Sequence, residues 1–201
     1  MLRYYDIKVG FSVIKLLFVT KNEGKVRELE ALAANYDIVI EQVGYDYPEI
    51  QADTLEEVAR KGAFHVSRLF ARPLIVEDSG LFIERFGGFP GPYSAYVYKK
   101  IGNRGILKLM SRVRDRKATF KSVIAFCEPS MQPVLFTGSV EGTIAEKAKG
   151  KGGFGFDPIF MYNGRTFAEI TTEMKNSISH RRAAFDGLIR WLLENKDVSA
   201  I

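Results

Sequence analysis

Short apolar runs recur along the chain and predict the strands of a sheet. Residues 14–20 and 73–77 are short, mainly apolar runs, and the first is rich in β-forming side chains, as in strands buried on both faces. Residues 37–43 alternate between apolar and polar side chains, as in a strand with one solvated face. Two longer candidates, 117–128 and 133–145, are separated by a turn and predict a hairpin.

Apolar positions at helical spacing predict helices between these strands. The clearest helix covers residues 54–70, because Thr54 and Glu57 form a capping box in front of its apolar stripe. Ser179 can cap a last helix. The other stripes are formed by Val26, Leu29, Ala33 and Tyr36, by Ile106, Leu109, Met110 and Val113, and by Phe185, Leu188, Ile189 and Leu192. Strands and helices alternate early and the hairpin comes late, which predicts a mixed α/β protein around a largely twisted sheet.

Length and composition indicate an ordinary globular protein. The 201 residues suit one domain, or two lobes that share a cleft, and 46% of them are apolar. We expect an N-terminal extension over residues 1–14, one domain over 15–195 and a short tail over 196–201. The apolar stretch near the N-terminus is interrupted by Lys15 and is far too short to span a membrane, so no membrane partner is expected.

Charge and cysteine content restrict the partners and the compartment. The net charge of +5 favours anionic ligands in general. No dense basic run or arginine-rich arm stands out in the sequence, so no dedicated nucleic-acid binding is expected. The single cysteine, Cys127, lies in an apolar stretch and is interpreted as a buried, inert thiol. A chain without a disulfide framework fits a reducing cytoplasm.

Two of four polar segments lie near the ends of predicted strands, where functional groups usually sit. Residues 20–25 join a buried strand to a helix, and free backbone N–H groups at that helix start, together with Lys25, predict an anion site. Glu77 and Asp78 follow the second apolar strand. Two adjacent carboxylates are costly to bury unpaired, and a hard cation such as Mg²⁺ would relieve that cost.

The other two polar segments lie in the last quarter of the chain. Residues 150–158 match the sequence pattern of a dinucleotide-binding fingerprint. The strand before it and the helix after it that this fingerprint requires are not predicted here. The segment is therefore interpreted as a loop that offers aromatic rings and Asp157 to a base. Lys175, His180 and Arg181 cluster at the start of the last helix, where the helix dipole disfavours cations. A bound phosphate would offset that conflict.

Taken in this order, the four segments resemble the inosine triphosphate pyrophosphatase family, which comprises the Ham1-like XTP/dITP diphosphatases, over residues 16–193. The resemblance is carried by Thr20, Asn22, Lys25, Glu49, Asp78, Ser79, Gly80, residues 89–94, residues 154–158, Lys175, Asn176, Ser179, His180 and Arg181. The sequence departs from the family pattern at Lys21, where a glycine is common, and at Glu77, where an aspartate is frequent.

The resemblance implies an elongated α/β fold with two lobes around a central twisted mixed sheet, an active-site cleft between the lobes, and a homodimer. It implies Mg²⁺-dependent hydrolysis of ITP, dITP and XTP to the monophosphate and pyrophosphate. Glu49 and Asp78 would hold the metal, and Asp78 would also be the catalytic base. The implied substrate-binding residues are Thr20, Lys21, Asn22, Glu23, Gly24, Lys25, Ser79, Phe154, Gly155, Phe156, Asp157, Lys175, His180 and Arg181.

Selectivity for hypoxanthine and xanthine would follow from their 6-oxo acceptor. A backbone N–H, Lys175 or a protonated His180 could donate to that oxygen, whereas adenine would present a donor against a donor. Phe154 or Phe156 could stack on the base. Two alternatives stay open: a pyrophosphatase for modified pyrimidine nucleotides, and a non-catalytic module that binds nucleotides or RNA.

Overall fold

A single mixed sheet of seven strands organises the described part of the chain. The structure, a computed structural model, describes residues 13–48 and 50–195. The strands are β1 (Ile14–Val19), β2 (Ile38–Val43), β3 (Leu74–Ile83), β4 (Lys117–Cys127), β5 (Val134–Ile144), β6 (Phe160–Tyr162) and β7 (Arg165–Thr166). Their order in the sheet is β2-β1-β3-β4-β5-β6-β7. β1 pairs in parallel with β2 and β3, and the remaining pairs are antiparallel.

Five α-helices of the described residues pack on this sheet. They are α1 (Glu23–Ala33), α2 (Leu55–Ser67), α3 (Ser94–Leu109), α4 (Thr172–Ile178) and α5 (His180–Glu194). The predicted caps are confirmed, because the Thr54 hydroxyl accepts from the N–H of Glu57 at 3.2 Å and the Ser179 hydroxyl accepts from the N–H of Arg182 at 3.1 Å. α3 is bent at Gly102, where φ is +58°.

The apolar core divides the molecule into two lobes, as predicted. In the first lobe, α1 and α5 cover one face of β1, β3 and β4, and α2 covers the other face. In the second lobe, the far ends of β3, β4 and β5 pack with α3 and β6 around a separate apolar cluster. The mixed α/β fold is therefore confirmed, and the long strands β3, β4 and β5 join the lobes.

The wrongly predicted end of β3 matters for the site. β3 does not end at the polar residues after Val76 but continues to Ile83, paired with β4 along its whole length. Asp78 therefore lies in the middle of a strand, where the two lobes meet. Gly80 is required there, since a Cβ at that position would lie 2.3 Å from the carbonyl oxygen of Gly91.

Some sequence predictions fall outside the part of the chain that the structure describes. They concern most of the N-terminal extension, the tail over 196–201, and Glu49. Among the described residues, the structure contains no helix with both the length and the apolar character needed to cross a membrane.

Candidate active site between the lobes

The turn between β1 and α1 is held by its own side chains. The side-chain oxygen of Asn22 accepts from the N–H groups of Gly24 at 2.9 Å and Lys25 at 3.2 Å, and the N–H of Asn22 donates to the Thr20 hydroxyl at 3.2 Å. The prediction that these helix-start N–H groups are free for an anion is therefore wrong for Gly24 and Lys25. An anion at this turn would depend on side chains instead.

Those side chains line a pocket of about 110 Å³ beside the turn. The pocket is lined by Val19, Thr20, Lys21, Lys25, Tyr45, Asp46, Tyr47, Glu77 and Asp78. Lys21 and Asp46, both largely exposed, form an ion pair at the pocket. The ammonium of Lys25 donates to the carbonyl oxygen of Glu77 at 2.7 Å and pairs with its carboxylate at 2.8 Å. The structure thus brings two lysines and Asp78 to one pocket.

Glu77 and Asp78 point to opposite faces of the sheet, because side chains alternate along a strand. Glu77 is on the α1/α5 face with Ser79, and both accept hydrogen bonds from Arg181. Glu77 also accepts from the Ser122 hydroxyl at 2.5 Å. The burial cost of Glu77 is therefore offset by Arg181 and Lys25. The prediction that a metal ion relieves it is wrong for Glu77.

A buried network of ionic side chains continues behind Glu77. The guanidinium of Arg181 lies 3.0 Å from the Glu77 carboxylate and also pairs with Glu28. The ammonium of Lys175 lies 2.7 Å from Glu28 and 2.5 Å from Asp157. Together with Lys25, three cations face three carboxylates, so the network is formally neutral. The prediction that a phosphate compensates Lys175 and Arg181 is therefore wrong, since carboxylates already do so.

These charges control the ionisation of the network. Burial alone would raise the pKa of Glu77, but the charges of Arg181 and Lys25 outweigh it and hold the pKa well below its ordinary value. For Asp157, burial dominates and raises the pKa despite the charge of Lys175. Glu77 therefore stays ionised throughout the physiological range.

His180 is a neutral residue of this site. Burial lowers its pKa well below the ordinary value, and the nearby charge of Arg181 lowers it further. Its ring stacks on Phe120 with centroids 4.8 Å apart and an interplanar angle of 18°. The hypothesis that a protonated His180 donates to the base is therefore wrong. Among the described residues, its buried Nδ1 atom has no hydrogen-bond partner.

The glycine-rich loop sends its two phenylalanines to different places. The ring of Phe154 covers the network, with the ammonium of Lys175 4.8 Å and the guanidinium carbon of Arg181 5.6 Å from its centroid. The N–H of Phe154 donates to Asp157 at 2.8 Å. Phe156 is buried in the second lobe, against the edge of Tyr98. Phe154, not Phe156, is therefore the ring available at the site.

Two residues of the site were missed from the sequence. Glu28 bridges Lys175 and Arg181, and Asp46 lines the pocket. A signal for Glu28 existed, because it follows Val26 and precedes Leu29 on the buried side of α1, where an unpaired carboxylate would be costly. No comparable signal existed for Asp46, which lies in an irregular segment.

Comparisons with known proteins agree with this arrangement. Residues 16–191 match the model of the Ham1 family. The dITP/XTP pyrophosphatase of Methanopyrus kandleri is 51% identical over 90% of this chain and 98% of its own length. That of Thermococcus kodakarensis is 52% identical over 90% and 99%. The chain therefore belongs to the Ham1 family.

Solved structures give the same result for the fold. The Ham1 protein of Coxiella burnetii superposes with a TM-score of 0.79 at 30% identity, over 90% of this chain and 99% of that one. The Ham1 protein of Staphylococcus aureus superposes with a TM-score of 0.77 at 29% identity, with the same coverage.

Proposed function

We propose that this chain hydrolyses the non-standard purine nucleotides ITP, dITP and XTP to the monophosphate and pyrophosphate. One observation carries the proposal: a single pocket joins the cations Lys21 and Lys25 to the carboxylate of Asp78. Relatives that share about half of the sequence are named for this activity on dITP and XTP. The proposed role is removal of such nucleotides from the cellular pool.

The lysines of the pocket suit the triphosphate. Hydrolysis between the α and β phosphates requires neutralisation of their charge and a water molecule placed in line. Unlike Lys175 and Arg181, Lys21 and Lys25 are accessible at the pocket and would donate to the phosphates, and the Thr20 hydroxyl would donate to a phosphate oxygen. Asp78 would orient the attacking water and accept its proton. Ser79, on the opposite face, would act by holding Arg181, to which it is hydrogen-bonded at 3.1 Å.

The donor set of the pocket fits a magnesium ion. Within residues 13–48 and 50–195, no three His, Cys, Asp or Glu side chains form a group that could hold a metal. Mg²⁺ typically binds one or two carboxylates and completes its shell with water and substrate phosphates. Asp78, and Glu49 as predicted from the family, would hold it. Bound there, Mg²⁺ would supply charge neutralisation at the phosphates and acidify a water ligand.

The buried network would select the base. Lys175 and Arg181 are donors without acceptor capacity, so they suit the 6-oxo group of hypoxanthine or xanthine and oppose the 6-amino group of adenine. Phe154 lies over both cations and would stack on the base. Asp157 and Glu28 would keep Lys175 in place through their ion pairs.

Oligomeric state and location are also proposed. The family resemblance supports a homodimer, which light scattering of the purified chain would test. The single cysteine, Cys127, is buried and free, which supports a reducing compartment such as the cytoplasm. Residues 15–195 are proposed to form the catalytic domain.

Initial rates on a panel of nucleotides test the proposed function. ITP, XTP, ATP, GTP, dUTP and m⁵UTP would be assayed with and without Mg²⁺, with pyrophosphate and orthophosphate measured separately. We expect pyrophosphate from ITP and XTP at rates at least about 100-fold above ATP, because a donor–donor mismatch discriminates by this much or more. Preference for m⁵UTP, release of orthophosphate, or no hydrolysis at all would contradict the proposal.

A further inference from the structure

The positive charge of this chain is concentrated in two segments of the second lobe. Residues 99–117 and 146–151 together contain eleven of the 29 lysines and arginines but only two of the 24 acidic residues. The rest of the chain has a net charge of −4, although the whole chain carries +5. We call the exposed lysines and arginines of these two segments the basic surface.

Both segments lie side by side in the fold. The guanidinium of Arg116 donates to the carbonyl oxygens of Ile144 and Ala145, each at 2.7 Å, which ties the end of the first segment to the start of the second. At the other end, the side chain of Asn103 donates to the carbonyl oxygen of Gly155 at 3.1 Å. The two segments therefore adjoin at Arg116, and the glycine-rich loop after the second segment contacts α3 at Asn103.

The cations of the basic surface differ from those of the active site. Lys175 and Arg181 are buried and neutralised by carboxylates. The basic surface is exposed, and within the described part of the chain none of its side chains forms an ion pair with a carboxylate. Ten exposed cations repel one another, and this repulsion destabilises the folded state. Binding of an anionic partner would relieve it.

Exposed aromatic rings lie among these cations on α3. Tyr96 is 63% exposed and Tyr98 is 42% exposed, and both lie in the part of α3 before the bend at Gly102. The ammonium of Lys100 lies 5.5 Å from the centroid of the Tyr96 ring. Cations that track a phosphate backbone, together with rings on which unpaired bases stack, are the features of a single-strand binding surface.

We infer that the basic surface binds single-stranded nucleic acid through its phosphate backbone. A duplex hides the faces of its bases and would leave the tyrosines unused. A membrane requires a continuous apolar helix face, and the bend at Gly102 interrupts α3. The inference departs from the sequence-based expectation of no dedicated nucleic-acid binding, because apolar residues such as the buried Ile106 separate the basic residues of α3 in sequence.

Salt-dependent binding of a labelled single strand tests this inference. A fluorescent 20-nucleotide oligo(dT) would be titrated with the full chain at several salt concentrations between 50 and 200 mM, with anisotropy as the readout. The test variant combines Lys99→Glu, Arg104→Glu and Lys108→Glu. We expect its affinity to fall more than about tenfold, and its log–log salt slope to become shallower by about 2, since each phosphate contact contributes about 0.7.

The control variant carries Lys61→Glu, Arg68→Glu and Arg190→Glu, which change the net charge equally on the first lobe. It should bind with the wild-type salt slope. Tyr96→Ala should weaken binding without changing the slope. Equal loss in both triple variants, or binding of vesicles that contain phosphatidylserine in preference to the oligonucleotide, would overturn the inference. Hydrolysis of ITP by the test variant should be unchanged. A fall in its kcat/KM with intact oligonucleotide binding would also overturn the inference, and would show that the basic surface steers mononucleotides to the active site.

Discussion

Replacement of Glu77 by glutamine tests whether the buried ionic network stabilises the fold. The Glu77 side chain is fully buried and pairs with Lys25 at 2.8 Å and Arg181 at 3.0 Å. Glutamine keeps the size of the side chain and one acceptor oxygen but removes the negative charge. Three cations would then face two carboxylates, and one positive charge would stay uncompensated at the junction of the lobes.

The expected loss follows from the partners that are left. Removing one member of a buried ion pair typically costs about 3–5 kcal/mol. The lower end applies here, because Arg181 keeps its pair with Glu28 and the Lys25 side chain is still 16% exposed. A loss of about 3 kcal/mol corresponds to a fall in Tm of roughly 6–12 °C for a chain of this size.

Thermal unfolding followed by circular dichroism measures this fall, with urea unfolding as a check on reversibility. The matched control is Glu57→Gln, which breaks the exposed pair with Lys61 on α2. Exposed pairs of this kind contribute little, so its Tm should change by about 2 °C or less. A fall for Glu77→Gln that is no larger than the fall for the control would refute the reasoning.

Three further predictions concern single side chains of the site. Burial and then the charge of Arg181 lower the pKa of His180. Below about pH 6.5 the His180 side chain therefore binds a proton in the unfolded chain but not in the folded chain. The free energy of unfolding should fall by up to about 2 kcal/mol from pH 6.5 to pH 5. Urea unfolding should show that this pH dependence is lost in His180→Gln and kept in His65→Gln. The same pH dependence in both variants would contradict its assignment to His180. Gly24→Ala would place a Cβ 2.5 Å from the ring of Phe154, so Tm and kcat/KM for ITP should both fall. In the double variant that also carries Phe154→Ala, Tm should be restored but kcat/KM should not. Lys25→Met should raise KM for ITP about tenfold or more, and an unchanged KM would exclude Lys25 from the triphosphate site.

The elements of the fold were predictable where one local pattern decides them. The capping residues Thr54 and Ser179 and the hairpin of β4 and β5 were found from spacing alone. The end of β3 was misplaced, because polar residues after an apolar run usually mark the end of a strand. Here the strand continues through Glu77 to Ile83, paired with β4, and Arg181, 104 residues later in the sequence, compensates the charge of Glu77.

The residues that form the site were easier to predict from the sequence than their ionisation. Lys175, His180 and Arg181 were recognised as a cluster, but their neutral surroundings depend on Glu28 and Asp157, which approach from α1 and from the glycine-rich loop. Ionisation depends on burial and on neighbours that are distant in sequence. For that reason the lowered pKa of His180, which follows from burial of its ring, is visible only in the fold.

Release of pyrophosphate from ITP by Asp78→Asn, measured beside the wild-type chain, tests the proposed catalytic role most directly. Asparagine preserves the shape of Asp78 but can neither accept a proton from water nor carry the charge that would attract Mg²⁺. Asp115→Asn, an exposed site on the second lobe, is the control for the loss of one carboxylate. We predict a rate lower by at least about 100-fold for Asp78→Asn with an unchanged circular dichroism spectrum, and wild-type activity for the control. Wild-type activity in Asp78→Asn would contradict the role of Asp78 in the proposed reaction.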